Sequence, residues 1–203
     1  MIRHVTCSAL PAALALLLMA CGSAGIPDYD YSQEPDPREQ EFVLGISDGV
    51  QIHVWDNPDL STDTRIRPDG TITVPLIGDV TAAGKTPTEL RGVIADRLSE
   101  YVKAESAEIT VGVGEINSYR FIISGEVSEP GIHSADRYVT VAEAIAMAGG
   151  FTRFASRNDI VLQRRDRETD EVREIPIAYR AISSGEHPEM NLVLLPGDSL
   201  HIP

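Results

Sequence analysis

Four of the five histidines, His53, His133, His187 and His201, and an abundance of carboxylates are the residues able to carry acid–base or metal chemistry beyond the N-terminal segment. The histidines are scattered, with no metal-ligand spacing and no cysteine nucleophile beside them. Asp56, Asp59 and Asp63 lack the alternation and the glycine of a calcium loop, so they read as a turn followed by a solvated loop. A glycosidase pair needs two chosen carboxylates, and an acidic surface offers coincidental pairs everywhere. Gly112-Val113-Gly114 lacks the third glycine and the following helix of a dinucleotide loop. The expectation is a chain without a catalytic residue, a metal or a cofactor.

Composition narrows the partners. At 203 residues the chain holds one or two small domains. Aromatics make up 5%, which does not suggest aromatic-lined sugar platforms or large ligand pockets. The formal charge is −14, and nucleic acid and anionic lipid surfaces both want a positive patch.

The N-terminus reads as a targeting signal over residues 1–20. Arg3 and His4 precede an apolar run from Ala9 to Leu18 that is too short to span a membrane. Leu18-Met19-Ala20-Cys21-Gly22 resembles the lipobox of bacterial lipoproteins. That resemblance implies an acylated Cys21 as the first mature residue, and Gly22 implies sorting to the outer membrane. Several acyl chains would hold the chain firmly to one leaflet. Cys7 falls in the removed segment, so no thiol remains for a disulfide or a cysteine metal site.

The elements that position everything else follow. Residues 21–41, rich in Pro, Ser, Asp and Glu, read as a flexible acylated tether that cannot fold alone. A coil of about 20 residues reaches roughly 25 Å. The fold expected after it is α+β: a small sheet-plus-helix domain over 42–115, then a β-grasp-like domain over 119–203. In the first, Val50 to Trp55 alternates as a strand, ended by the turn at Asp56 to Asp59. Arg67-Pro68-Asp69-Gly70 forms a hairpin turn, with Asp69-Gly70 supplying positive φ. Ile72 and Val74 alternate with Thr71 and Thr73, Pro75 stops the ladder, and Gly78-Asp79 marks a second bend. Thr86-Pro87-Thr88-Glu89 is a capping box that opens a helix burying Leu90, Val93, Ile94, Leu98, Tyr101 and Val102. Gly92 suggests close backbone approach there. Ile109, Val111 and Val113 alternate as the closing strand.

In the second domain, Phe121 to Val127 reads as a strand and Pro130-Gly131 as a type II turn. Thr140-Val141-Ala142-Glu143 is a second capping box, and Gly149-Gly150 stops its helix. Ile160 to Leu162 and Glu174 to Pro176 read as strands around a solvated charged loop, Arg164 to Arg173. Leu195-Pro196-Gly197-Asp198 echoes Leu44 to Asp48, and similar turn-into-strand chemistry is the preferred explanation over duplication.

These motifs resemble a known family. Asp48, Arg67-Pro68-Asp69-Gly70, Pro75 through Gly78 and the helix from Thr86 resemble the polysaccharide export domain of outer-membrane polysaccharide export lipoproteins. Ser47 stands where that family usually has glycine. Gly125, Pro130-Gly131, Thr140 to Gly149-Gly150, and Gly197-Asp198 resemble its soluble-ligand-binding β-grasp module. The resemblance implies a non-enzymatic role in capsule or exopolysaccharide export: a ring of identical subunits forming a periplasmic conduit, fed by an inner-membrane copolymerase. The sequence carries no C-terminal membrane helix, so the expected partner is a separate outer-membrane β-barrel. Tyr119, Arg120, Arg137 and Tyr138 flank the second domain's motifs and are candidates for saccharide contact; the other reading packs Tyr138 in the core and gives the arginines to subunit contacts. The competing function is a monomeric envelope saccharide-binding module.

Overall fold

The computed structural model of the chain describes residues 28–101, 108–166 and 169–203. Cys21 and the signal segment lie outside the described residues, as does Val102.

The alternating valines and isoleucines dictate the first layer. Strand β1 (Gly49–Val54) points Val50, Ile52 and Val54 inward. It sits between β2 (Thr62–Arg65) and β5 (Ile109–Val113), antiparallel to both, with Ile52 opposite Thr62 and Val111. A separate two-stranded ribbon joins β3 (Thr71–Val74) to β4 (Gly78–Thr81), with Ile72 opposite Val80. Helix α1 (Pro87–Leu98) closes this core with Leu90, Ile94 and Leu98. Both halves of its capping box form: Thr86 Oγ1 accepts from the Glu89 amide, and the Glu89 carboxylate accepts from the Thr86 amide. Such a cap is worth about 1 kcal/mol.

Several expectations change here. The helix ends at Leu98, leaving Tyr101 60% exposed. Among the described residues nothing comes within 4 Å of a Cβ placed on Gly92, so no backbone of theirs approaches it. Asp63 lies on β2 rather than in a solvated loop. Of Asp69 and Gly70 only Gly70 has positive φ, and their turn links strands of different sheets. The paired hairpin is β3–β4, turned by Pro75-Leu76-Ile77. There the Ile77 amide bonds the Pro75 carbonyl at 2.9 Å, and Leu76 takes the unusual φ of 67°.

The second layer is a five-stranded mixed sheet in the order β7-β6-β10-β8-β9. Its strands are β6 (Arg120–Gly125), β7 (Gly131–Ser134), β8 (Ile160–Arg165), β9 (Val172–Ile177) and β10 (Ser199–Ile202). The last strand is central, parallel to β6 and antiparallel to β8. Helix α2 (Val141–Met147) lays Val141, Ala144 and Ile145 on it, and its Thr140–Glu143 capping box is also complete. Gly131 begins β7 with φ 154°, so Pro130-Gly131 is not the centre of a type II turn. A short α3 (Tyr179–Ser184) has no sequence signature at its start: its N-cap, Ala178, makes no side-chain cap bond.

Residues 28–41 depart most from their compositional reading. Tyr31–Gln33 and Pro37–Glu39 are 3-10 turns capped by the Asp30 and Asp36 carboxylates. Tyr31 enters the second core, and its hydroxyl donates to the Pro176 carbonyl on edge strand β9. A low aliphatic count forecasts coil. One buried ring and one buried carboxylate suffice to dock a segment onto a surface that is already folded.

Candidate functional site

Two buried aspartates organise the molecule. Asp48 is fully buried at the start of β1. Its Oδ1 accepts from the amides of Asn117 (2.8 Å) and Ser118 (2.7 Å), while Oδ2 accepts from the Gly45 amide (2.8 Å) and the Ser118 hydroxyl (2.7 Å). A buried carboxylate is tolerated when donors surround it. Here those donors come from both sides of the junction between the two cores. The site is tight: a Cβ on Gly45 would lie 2.3 Å from that of Ser118.

Asp198 repeats the arrangement at the start of β10. Its Oδ2 accepts from the Leu195 amide at 2.7 Å, three residues back, as Asp48 does from Gly45. The residue before each aspartate has positive φ, Ser47 at 75° and Gly197 at 91°. Ser47 stands in a left-handed position that favours glycine. The neighbouring strands differ, because β1 is antiparallel to β2 and β10 is parallel to β6. One turn chemistry thus serves two topologies, which favours shared local chemistry over duplication.

Asp198 also takes part in a charge cluster. Arg164, 2% exposed, donates to Asp198 at 2.7 Å, to Glu34 at 2.9 Å and to the Val193 carbonyl at 2.8 Å. Arg173 reaches the other Glu34 oxygen at 2.9 Å. Burial alone would lower the Arg164 pKa; the hydrogen bonds and charges of Asp198 and Glu34 outweigh it and raise it. Tyr29 donates its hydroxyl to Glu34, and burial followed by that bond pushes its pKa up to about 12. Arg164 is therefore no part of a solvated loop. It continues the inward register of Ile160 and Leu162 on β8, and that alternation was the available signal.

Arg120, Arg137 and Tyr138 do not converge. Arg120 is exposed, donates to the Asn117 carbonyl at 3.0 Å, and lines a cleft of about 480 Å³ with Gly45, Ala83 and Pro196. Arg137 pairs with Glu143 at 3.0 Å and so braces the second capping box. Tyr138 is half-buried between Phe42 and Tyr119 at ring separations of 6.2 and 5.3 Å. It lies across the junction from the first core, and with Arg137 lines a separate pocket of about 260 Å³. Tyr119 is buried, its hydroxyl donating to Leu194 and accepting from the Val139 amide, each at 3.0 Å.

On the ribbon, Arg67 holds Asp79 at 2.8 Å and Thr73 at 2.9 Å. The bond from Arg67 lowers the Asp79 pKa, and bonds from Thr71 lower that of Asp69. These motif residues staple an exposed hairpin. Among the described residues no cluster of three metal-ligating side chains occurs, and no helix is long and apolar enough to cross a membrane.

Comparison with known proteins fits both layers. The family profile of polysaccharide biosynthesis/export proteins matches residues 36–113, and that of the SLBB domain matches residues 120–177. The exopolysaccharide production protein ExoF of Rhizobium meliloti is 30% identical, over 57% of this chain and 30% of its own length. The EPS I polysaccharide export outer membrane protein EpsA of Ralstonia nicotianae is 30% identical, over 54% of this chain and 34% of its own. The polysialic acid transport protein KpsD of Escherichia coli is 22% identical, over 63% and 23%. The chain therefore spans about a third or less of each of these relatives. Asp48 thus lies within a region similar to polysaccharide biosynthesis/export proteins, and the sheet that β10 and Asp198 complete begins in a region similar to the SLBB domain.

Proposed function

We propose that the chain is a non-enzymatic component of a capsule or exopolysaccharide export machine, lipid-anchored through Cys21 to the periplasmic face of the outer membrane. Copies of the chain form a ring-like conduit that passes polymer to the outer membrane. Its partners are the polysaccharide, further copies of itself, an inner-membrane copolymerase and an outer-membrane β-barrel.

The observation that carries this reading is the order and coupling of the two modules. An export domain and an SLBB domain are joined through one buried carboxylate, Asp48, and the SLBB core is clasped by the segment that leads from Cys21. Such a linkage would transmit position from an anchored N-terminus through both domains.

Deletion of the gene in its host tests the reading. Loss of surface polysaccharide with accumulation inside the cell is the expected result. Unchanged surface polysaccharide would sink it. Oligomeric state separates the competing reading, because a chain that stays monomeric in membranes and retains saccharide acts as a binding module.

A further inference from the structure

The loop after α2 concentrates features that composition alone hides. Phe151, Arg153, Phe154 and Arg157 fall within seven consecutive residues, in a chain with only 5% aromatics. Phe154 is 69% exposed, with the Arg153 guanidinium carbon 4.6 Å from its ring centroid. Arg157 lies 5.1 Å over the Phe151 ring, whose other neighbour is Tyr179, edge-on at 4.8 Å. Neither arginine forms an ion pair among the described residues.

The loop is also fixed in place. The Thr152 amide bonds the Glu126 carbonyl at 3.1 Å, Phe154 bonds Thr152 Oγ1 at 3.2 Å, and Ser156 bonds the Pro203 carbonyl at 2.7 Å. Two carboxylates border the loop: that of Glu126 accepts from the Thr152 hydroxyl, and Asp159 follows Arg157 by two residues. A surface already ordered in this way spends little entropy on binding.

We propose that Arg153, Phe154 and Arg157 form a contact site for a carboxylated saccharide, of the uronic- or sialic-acid type. The proposal rests on the export reading above. The Arg153 guanidinium lies over the Phe154 ring, and the exposed part of that ring stacks on the C–H face of a sugar. Arg153, over this ring, and Arg157, over the Phe151 ring of the same loop, take the sugar carboxylate by charge-assisted hydrogen bonds. Elsewhere the −14 chain repels an acidic polymer, so a small cationic spot supplies a weak, discrete foothold along its path. Exposed rings and arginines also serve protein interfaces; saccharide is favoured because the export reading brings polymer past this surface, and dependence on chain concentration separates the two.

The test is an NMR titration of the intact chain with a hyaluronan tetrasaccharide, which carries glucuronate, and with neutral chitotetraose. The acidic sugar is expected to shift the amides of residues 151–157, more strongly at low salt. Phe154→Ala is expected to weaken binding about fivefold, the order of one lost stacking contact. Arg153→Gln/Arg157→Gln is expected to erase the preference over chitotetraose. All three side chains are exposed, and an unchanged melting temperature verifies each fold. Shifts confined to other surfaces, equal binding by the variants, or no shift at millimolar sugar overturns the site. Line broadening with chain concentration, abolished by the double substitution, would assign the loop to self-association and overturn it as well. A gene deletion that leaves export intact removes the underlying reading, whereas a deletion defect together with wild-type sugar binding by the variants removes only this site.

Discussion

Glu34 and Arg164 meet at 2.9 Å although 130 residues separate them, and both side chains are shut away from water. With Asp198 and Arg173 they form a cluster of two cations and two anions. Burying charges costs several kcal/mol per ion unless their partners are retained. The segment before the export domain is thus wedged into the SLBB domain by a contact that is expensive to half-break.

Removal of one partner should be severe. Arg164→Met leaves the buried Asp198 without its cation and Glu34 with Arg173 alone, and a loss of about 3–5 kcal/mol is expected. Glu34→Gln keeps hydrogen-bonding capacity and should cost less. Urea denaturation of each purified variant measures both, and equal stability of Arg164→Met and wild type would refute the account.

Much of this fold is legible in the residues, for identifiable reasons. Both capping boxes, the alternation of β1 and β3, and the twin turns at Asp48 and Asp198 depend on contacts within a few positions. Glu34, Tyr31 and β2 escape a sequence reading because their partners are distant: Glu34 looks like one more acid in an acidic segment until Arg164 is placed opposite it. Arg164 itself was half-legible, since it holds an inward position on β8 but wears a surface residue's chemistry. Arg153 and Phe154 escape for another reason. A percentage of aromatics reports abundance and is blind to clustering.

High pH should loosen the N-terminal clasp. The Tyr29 pKa is raised from 10.0 to about 12 in the folded chain. A raised folded-state pKa contributes stability that is complete below the unfolded value and lost as pH climbs through the folded one. Protection of residues 28–41 from protease should therefore fall between pH 10.0 and about 12. Tyr29→Phe, which cannot ionise, should flatten that fall.

Low pH should strike the second capping box. The Thr140 amide, then Arg137, hold the Glu143 carboxyl below its ordinary 4.5. A depressed pKa contributes stability present above 4.5 and lost as pH falls through the folded value. Acid titration of the melting temperature should show a shallower slope in Glu143→Gln than in wild type. Identical slopes would mean that the box carries no linked proton.

The junction offers a test by rescue. A Cβ on Gly45 would sit 2.3 Å from Ser118 Cβ and 2.5 Å from Ser118 Oγ, with the next neighbour, Asp48 Oδ2, at an ordinary 3.6 Å. Gly45→Ala should therefore force the 45–48 turn and the 117–118 segment apart, costing about 3 kcal/mol at the upper end of ordinary overpacking. Ser118→Gly alone forfeits one hydroxyl bond to Asp48 and some backbone entropy, about 1–2 kcal/mol together. The two changes touch the same atoms, so they should not add. The double variant opens the space the new methyl needs and keeps three backbone amides on Asp48. It should be more stable than Gly45→Ala alone, and protease cleavage between residues 115 and 120, raised by the single change, should return toward the wild-type rate. If the double variant is instead the sum of its parts, Gly45 and Ser118 do not share the junction and Asp48 is not what couples the two domains.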